Sequence, residues 1–407
     1  MKHILFFLSV FAVIFSWNCN ISVAQWVKIS NDFGGEVQCF AAIGNDLFVG
    51  SDGGGVFVST DNGMHWSASS AGLSNKKVHG LLASSGELLA GTSGGVYLST
   101  NNGSAWLPLN AGLADTTTVH ALLLNGTTLY AGTSGGVYRA LQGANWEKID
   151  TGFTDDYYVN TFIMSDTNLL AGTFVFGVWR STDNGSHWDQ SNSGLTKSDM
   201  HSFAEFNNEL YVVTDGAKMF VSDDNGHSWG EVPVTFQAGS LNNLLSYSSP
   251  VFGKNQLFVA SDNGVYRTVD KAVNWTNLST GLTNLDARIL FQNSGFLFAA
   301  IGDSTLWRSQ IAEVSVKEND PLSLTIKNYP NPFSEKTTIT FTSTERGFVE
   351  IIIVNILGEE VAKVFSGELE TGEHDFNLDE QKLADGMYVC LIRTNDRSYT
   401  LPMLKIR

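Results

Sequence analysis

The chain has 407 residues, room for two or more domains, and carries 40 glycines and 10 tryptophans but only 7 prolines. No window shows the apolar periodicity of a long amphipathic helix, so an all-β chain of short strands joined by glycine turns is expected. A net charge of −17 excludes the basic footprint that nucleic acid or an anionic membrane surface requires.

Residues 1–24 read as a secretory signal, with Lys2 and His3, an apolar run over 4–15, and Ser22-Val23-Ala24 as the cleavage site. The run is too short to span a bilayer and no later one is longer, so no transmembrane segment is expected. Asn18 before Cys19 fits a lipidation site poorly. Beyond the signal, Cys39 and Cys390 each sit in an apolar strand pattern and are expected to pack as small hydrophobes rather than form a disulfide.

From 25 to 310 the chain repeats. Tryptophans 26, 66, 106, 146, 188, 229 and 275 are spaced 40, 40, 40, 42, 41 and 46 residues apart. Each interval holds an inner strand, a second strand, a third strand with an aromatic (Phe57, Tyr97, Tyr138, Trp179, Phe220, Tyr266, Trp307), then a turn and a tryptophan strand. Four strands per period of about 40 residues is the pattern of a β-propeller blade. Second strands number seven, the last unit lacks a tryptophan strand, and Trp26-Val27 is a tryptophan strand without a unit. The expected fold is a seven-bladed β-propeller over 25–310, closed by the N-terminal strand.

The turn recurs as Ser-x-Asp-x-Gly-x-x-Trp: Ser59, Asp61, Gly63 and Trp66; Ser181, Asp183, Gly185 and Trp188; Ser222, Asp224, Gly226 and Trp229. Asn-Gly at its centre favours a tight turn, the carboxylate can accept free backbone N–H groups, and the tryptophan can bury its ring. Ser99–Trp106 keeps the frame with Asn101 in place of Asp, whereas 139–146 and 268–275 keep little beyond the tryptophan. This pattern resembles the Asp-box, or bacterial neuraminidase repeat, of sialidases, sortilin-like receptors and many other β-propellers. The resemblance implies a structural turn far from any active site.

Sialidase chemistry needs three converging arginines on the substrate carboxylate. Of Arg139, Arg180, Arg267, Arg288 and Arg308, four share one repeat position after the third-strand aromatic and read as blade-to-blade structure. A glycosidase needs two facing carboxylates. The face opposite the Asp-boxes offers Asp32, Asp52, Asp115, Asp155, Asp156, Asp199, Asp215, Asp262, Asp286 and Asp303. Xyloglucan-type propeller hydrolases resemble this repeat but use two propellers. Repeat alignment puts Gln38, His79, His120, Asn160, His201, Asn242 and Arg288 at one place early in each inner strand, a polar ring near one mouth of the channel. Its bland role is to bond neighbouring blades; its functional one is ligand binding. The three histidines come from separate blades, so no metal is expected. Tyr157 and Tyr158 add an aromatic patch on which a sugar ring could stack. No nucleophile elbow or phosphate-cradling loop is found, and no cofactor is expected.

After 310 the character changes. Residues 311–324 are polar, as a linker is. Then follow Asn328-Tyr329-Pro330-Asn331-Pro332-Phe333, alternating strands, Asn355-Ile356-Leu357-Gly358-Glu359, Gly372-Glu373-His374 and Leu383-Ala384-Asp385-Gly386-Met387-Tyr388. Residues 325–407 resemble the type A sorting domain of the type IX secretion system of Bacteroidota. That implies a small immunoglobulin-like β-sandwich, the secretion machinery as partner, and passage through the periplasm to the medium or the outer-membrane surface. The functional expectation is a non-enzymatic scaffold recognising a glycan or surface protein through one propeller face. A glycan hydrolase using paired loop aspartates is the alternative.

Overall fold

A computed structural model describes residues 26–405, apart from 30–31, 115, 142–144, 154–156, 249–254, 303, 312–325, 344–345, 356–359, 380–382, 385 and 395–397. The signal reading of 1–24, nearly all of the linker, and Asp115, Asp155, Asp156 and Asp303 lie outside the described residues. Among the described residues there is no helix; every regular element is a strand.

Up to Gln310 the described strands form seven four-stranded antiparallel sheets. The first sheet is Val37–Ile43, Asp46–Ser51, Gly55–Ser59 and Ser67–Ala68, and the next five repeat that order along the chain. The seventh takes Ala287–Asn293, Phe296–Ile301 and Thr305–Gln310, and its fourth strand is Val27–Ile29 from the other end of the chain. There Lys28 pairs with Trp307 and Ile29 with Leu306. Each sheet's first strand packs beside the first strand of the next, and that of the seventh packs beside that of the first. The sheets therefore stand around a closed circuit, with no first strand left as an open edge.

Second strands are buried on both faces, as Leu47, Phe48 and Val49 show, because each sheet is covered by a neighbour on either side. Tryptophans staple the sheets. Trp106 donates from Nε1 to Ser69 O at 2.7 Å, Trp146 to Leu109 O at 2.8 Å, Trp188 to Ile149 O at 2.8 Å and Trp229 to Ser191 O at 2.9 Å. Each acceptor lies three residues after the preceding repeat's tryptophan. Trp26 obeys the same rule across the chain ends, donating to Leu278 O, three residues after Trp275, at 2.6 Å.

The C-terminal segment forms a three-stranded sheet (Ile326–Tyr329, Lys336–Ser343, Gly372–Asp379) and a four-stranded one (Glu360–Leu369, Gly347–Asn355, Gly386–Arg393, Ser398–Lys405). Ile339 and Phe341 from the first sheet share a core with Ile351, Ile353, Cys390 and Ile392 from the second. Cys39 and Cys390 are free thiols, and burial pushes Cys390 up to about 12, so both serve as packing groups.

Candidate functional site

Antiparallel order puts the third-to-fourth strand turns at one end of the sheets and the second-to-third turns, with the starts of the first strands, at the other. At the first end the three full motif copies build one hydrogen-bonded turn. Ser181 Oγ donates to Asp183 Oδ1 at 2.8 Å and accepts Gly185 N–H at 2.8 Å, while Asp183 Oδ1 accepts His187 N–H at 2.9 Å. Ser59-Asp61-Gly63 and Ser222-Asp224-Gly226 repeat this, and Asn101 substitutes for Asp with Ser99 and Ala105 N–H. These carboxylates are committed to the turn. Desolvation works against the charge of Asp224, yet hydrogen bonds from Ser228, Ser222 and His227 N–H hold it down at about 2. The His65 N–H above all holds Asp61 well below the usual carboxylate range. Trp66 donates instead to Gly63 O in its own turn at 3.1 Å, and Trp275 likewise to Ala272 O at 3.1 Å.

One expectation needs correction here. Thr268–Trp275, read as keeping little beyond its tryptophan, closes the same turn: Thr268 donates to Asp270 Oδ1 at 2.8 Å and Asn274 N–H to the same oxygen at 2.9 Å. Ala272 replaces the glycine and takes φ 63°, within the left-handed region. Two of the four repeat-position arginines serve the same end: Arg139 donates to Asn184 O at 3.0 Å and Arg308 to Asn62 O at 2.7 Å, each bridging to the next sheet's turn, whereas Arg267 donates to Gln256 in its own sheet at 3.4 Å.

At the other end the seven ring positions separate by partner. His79 Nε2 meets Ser93 Oγ at 2.7 Å and His120 Nε2 meets Ser134 Oγ at 2.8 Å, each within its own sheet. The imidazoles are neighbours, 5.6 Å between centroids, and His120 lies 5.7 Å from the Tyr158 ring. Elsewhere the positions bond across sheets: His201 Nδ1 to Leu241 O at 2.7 Å, and Asn242 Nδ2 to Ala287 O at 2.7 Å. Arg288 is gripped by Asp286 at 3.0 Å and Glu36 at 2.6 Å. Gln38 and Asn160 are half-buried at the equivalent places. Among the described residues no three His, Cys, Asp or Glu side chains converge as a metal site requires.

Tyr157 does not join an exposed patch. It is buried against Phe153, Phe176 and Trp179, while its neighbour Tyr158 is 51% exposed. Adjacent residues entering a strand point to opposite sides, so only one ring could face solvent. Sequence reasoning also missed Phe174, Val175 and Phe176, all exposed at the second-to-third strand turn of the fourth sheet. The signal was present: sheets two and three carry Ser93-Gly94 and Ser134-Gly135 there, and the fourth departs from its own repeat.

Burial first, and then neighbouring His79, pushes the His120 imidazole down to about 4; burial lowers His79 as well. Both rings are therefore neutral at pH 7. Because the folded state favours neutral His120, its contribution to stability is whole above the unfolded pKa of about 6.5 and is lost as pH falls toward 4. In His120→Gln, thermal melts between pH 6.5 and 4 are expected to fall less steeply than in the parent; superimposable profiles would refute this assignment.

The family described as Secretion system C-terminal sorting domain matches residues 327–405, and that described as Sortilin, neurotensin receptor 3, matches 177–294. Among solved structures, YCF48 bound to D1 peptide is similar, with 15% identity over 70% of this chain and 96% of that one, and a TM-score of 0.58. YCF48 from Cyanidioschyzon merolae is 14% identical over 72% of this chain and 100% of its own, at a TM-score of 0.56. An ancestral GH74 enzyme is 12% identical over 93% of this chain but only 63% of its own, at 0.57. The fold is a β-propeller. No curated protein matches the sequence. The sorting-domain match marks the chain for the type IX secretion machinery, and so for export to the cell surface or the medium. Among the described residues no helix is long and apolar enough to cross a membrane.

Proposed function

We propose that this is a secreted or surface-displayed, non-enzymatic binding protein of a Bacteroidota species. In this reading residues 1–24 are a signal peptide, and 25–310 a seven-bladed Asp-box propeller closed by its N-terminal strand. Residues 311–324 are a linker, and 325–407 an immunoglobulin-like sorting domain. The ligand, a glycan or a surface protein, meets the end opposite the Asp-box turns. The observation that carries this is the run of neutral imidazoles and an exposed phenol, His79–His120–Tyr158, at that end. Rings of this kind offer flat apolar faces with polar edges. Gln38, Asn160, His201, Asn242 and Arg288 belong to the rim of the same mouth. Tyr158→Ala is expected to weaken capture of the ligand about tenfold, ~1.4 kcal/mol, when the full chain is titrated against hits from a glycan and peptide array. Undiminished binding would move the site elsewhere.

One observation favours a second reading, a glycan hydrolase. Burial raises the Asp199 carboxyl against the opposing pull of His201, and the charge of Asp215 adds to the rise, as in pairs that divide acid and base roles. Polysaccharide cleavage abolished by Asp199→Asn would establish that reading in place of the first.

A further inference from the structure

The second-to-third strand turns divide the binding end into chemical sectors. The first turn residue is Ser93 and Ser134 in sheets two and three and Phe174 in sheet four, but Asp215 in sheet five, Asp262 in sheet six and Asp52 in sheet one. Phe174, Val175 and Phe176 form an apolar tip, each at least 38% exposed. Single exposed hydrophobes are ordinary, but a contiguous apolar cluster beside an exposed Tyr158 is not. Val175 sits at φ 84°, a conformation that β-branched residues avoid. The surroundings hold it there. Thr173 donates to Gly177 O at 2.8 Å, Asn192 Nδ2 to Phe176 O at 3.0 Å, and Phe174 N–H to Tyr158 O at 2.9 Å.

The tip is tied directly to the acidic sector, since Gly177 N–H donates to Ser198 O at 2.8 Å, one residue from Asp199. Asp199 meets His201 at 3.7 Å, and its Oδ1 is buried with no hydrogen-bond partner. Burial and the Asp215 charge oppose ionisation of Asp199 while His201 favours it, and a cation arriving here would add to the second effect. Lys197 reaches the rim beside Gly216, next in the chain to Asp215.

We propose that this end docks a cationic polypeptide segment, its aromatic or aliphatic side chains on Tyr158, Phe174 and Phe176 and its Lys or Arg side chains on Asp199 and Asp215. This rests on the binding reading above and narrows it to one partner class. Charge decides between partners: a chain of net charge −17 with an apolar tip joined to carboxylates complements a basic peptide and repels an anionic polysaccharide.

The test titrates the full chain with a short labelled peptide alternating Lys and Phe, its counterpart alternating Glu and Phe, and a neutral oligosaccharide. Only the Lys/Phe peptide is expected to bind. Phe174→Ser is expected to weaken it about tenfold, as is the pair Asp199→Asn and Asp215→Asn, and only the second should flatten the salt dependence. Phe174 is chosen because Phe176 packs on Tyr157, and Phe174→Ser should melt with the parent. Equal binding of the Glu/Phe peptide would overturn the proposal. Oligosaccharide binding that Tyr158→Ala abolishes, with neither peptide bound, would overturn it while leaving the binding face intact. Silence from all three probes would remove both.

Discussion

Removing residues 26–29 is expected to unfold the propeller at room temperature or drive it into aggregates. Val27–Ile29 is the fourth strand of the seventh sheet, and without it Thr305–Gln310 becomes an open edge. Trp26 is buried with Phe258, Leu290 and Trp307, so the deletion also strips the cover from a core cluster. Trp26→Ala alone should cost about 3–5 kcal/mol, since a buried aromatic and its bond to Leu278 O are lost together. Against a typical total of about 5–15 kcal/mol, the whole strand is more than the fold can lose. Chemical denaturation and gel filtration of the truncated chain read this directly. A cooperative transition at the parental midpoint would show that the circuit holds without its last strand.

How much of this could be read from sequence depended on whether a residue acts within the repeat or against it. The tryptophan spacing was legible because every copy solves the same packing problem, and Trp26 without a unit pointed to pairing across the chain ends. Asp61, Asp183 and Asp224 were legible as turn residues because carboxylate, glycine and tryptophan stand at fixed offsets. Thr268–Trp275 was underrated because Lys271-Ala272 looks unlike Asn-Gly, yet Asp270 supplies the acceptor that matters and Ala272 tolerates a positive φ. Tyr157 and Tyr158 could not be told apart without knowing which side of the strand start is covered. The ring positions were found by alignment, but their partners were not. His79 and His120 meet serines in their own turns, while His201 sits beside Asp199 and reaches Leu241 O. Phe174–Phe176 escaped notice because alignment rewards sameness, and this tip matters through its difference.

Gly152→Ala, one methyl group, is expected to cost about 2–5 kcal/mol. Gly152 has φ 107°, and a Cβ there would lie 2.0 Å from the Trp188 carbonyl oxygen, so backbone must move. Its neighbour Thr151 accepts the Trp188 N–H at 2.9 Å, and Trp188 Nε1 bonds Ile149 O, so the shift acts on the staple between two sheets. Gly72, Gly112 and Gly194 stand in the same relation to Trp106, Trp146 and Trp229, at 2.2, 2.1 and 1.9 Å. Gly126→Ala is the control: φ is 59° and nothing lies within 4 Å, so only the left-handed backbone is strained, at about 1 kcal/mol. If the two alanines lower the melting temperature equally, the cost is backbone conformation alone. A loss several-fold larger at Gly152 assigns the difference to the close approach of one repeat's glycine to the next repeat's tryptophan. These four glycines then set how near their adjacent sheets can stand, and a side chain there would wedge the circuit open.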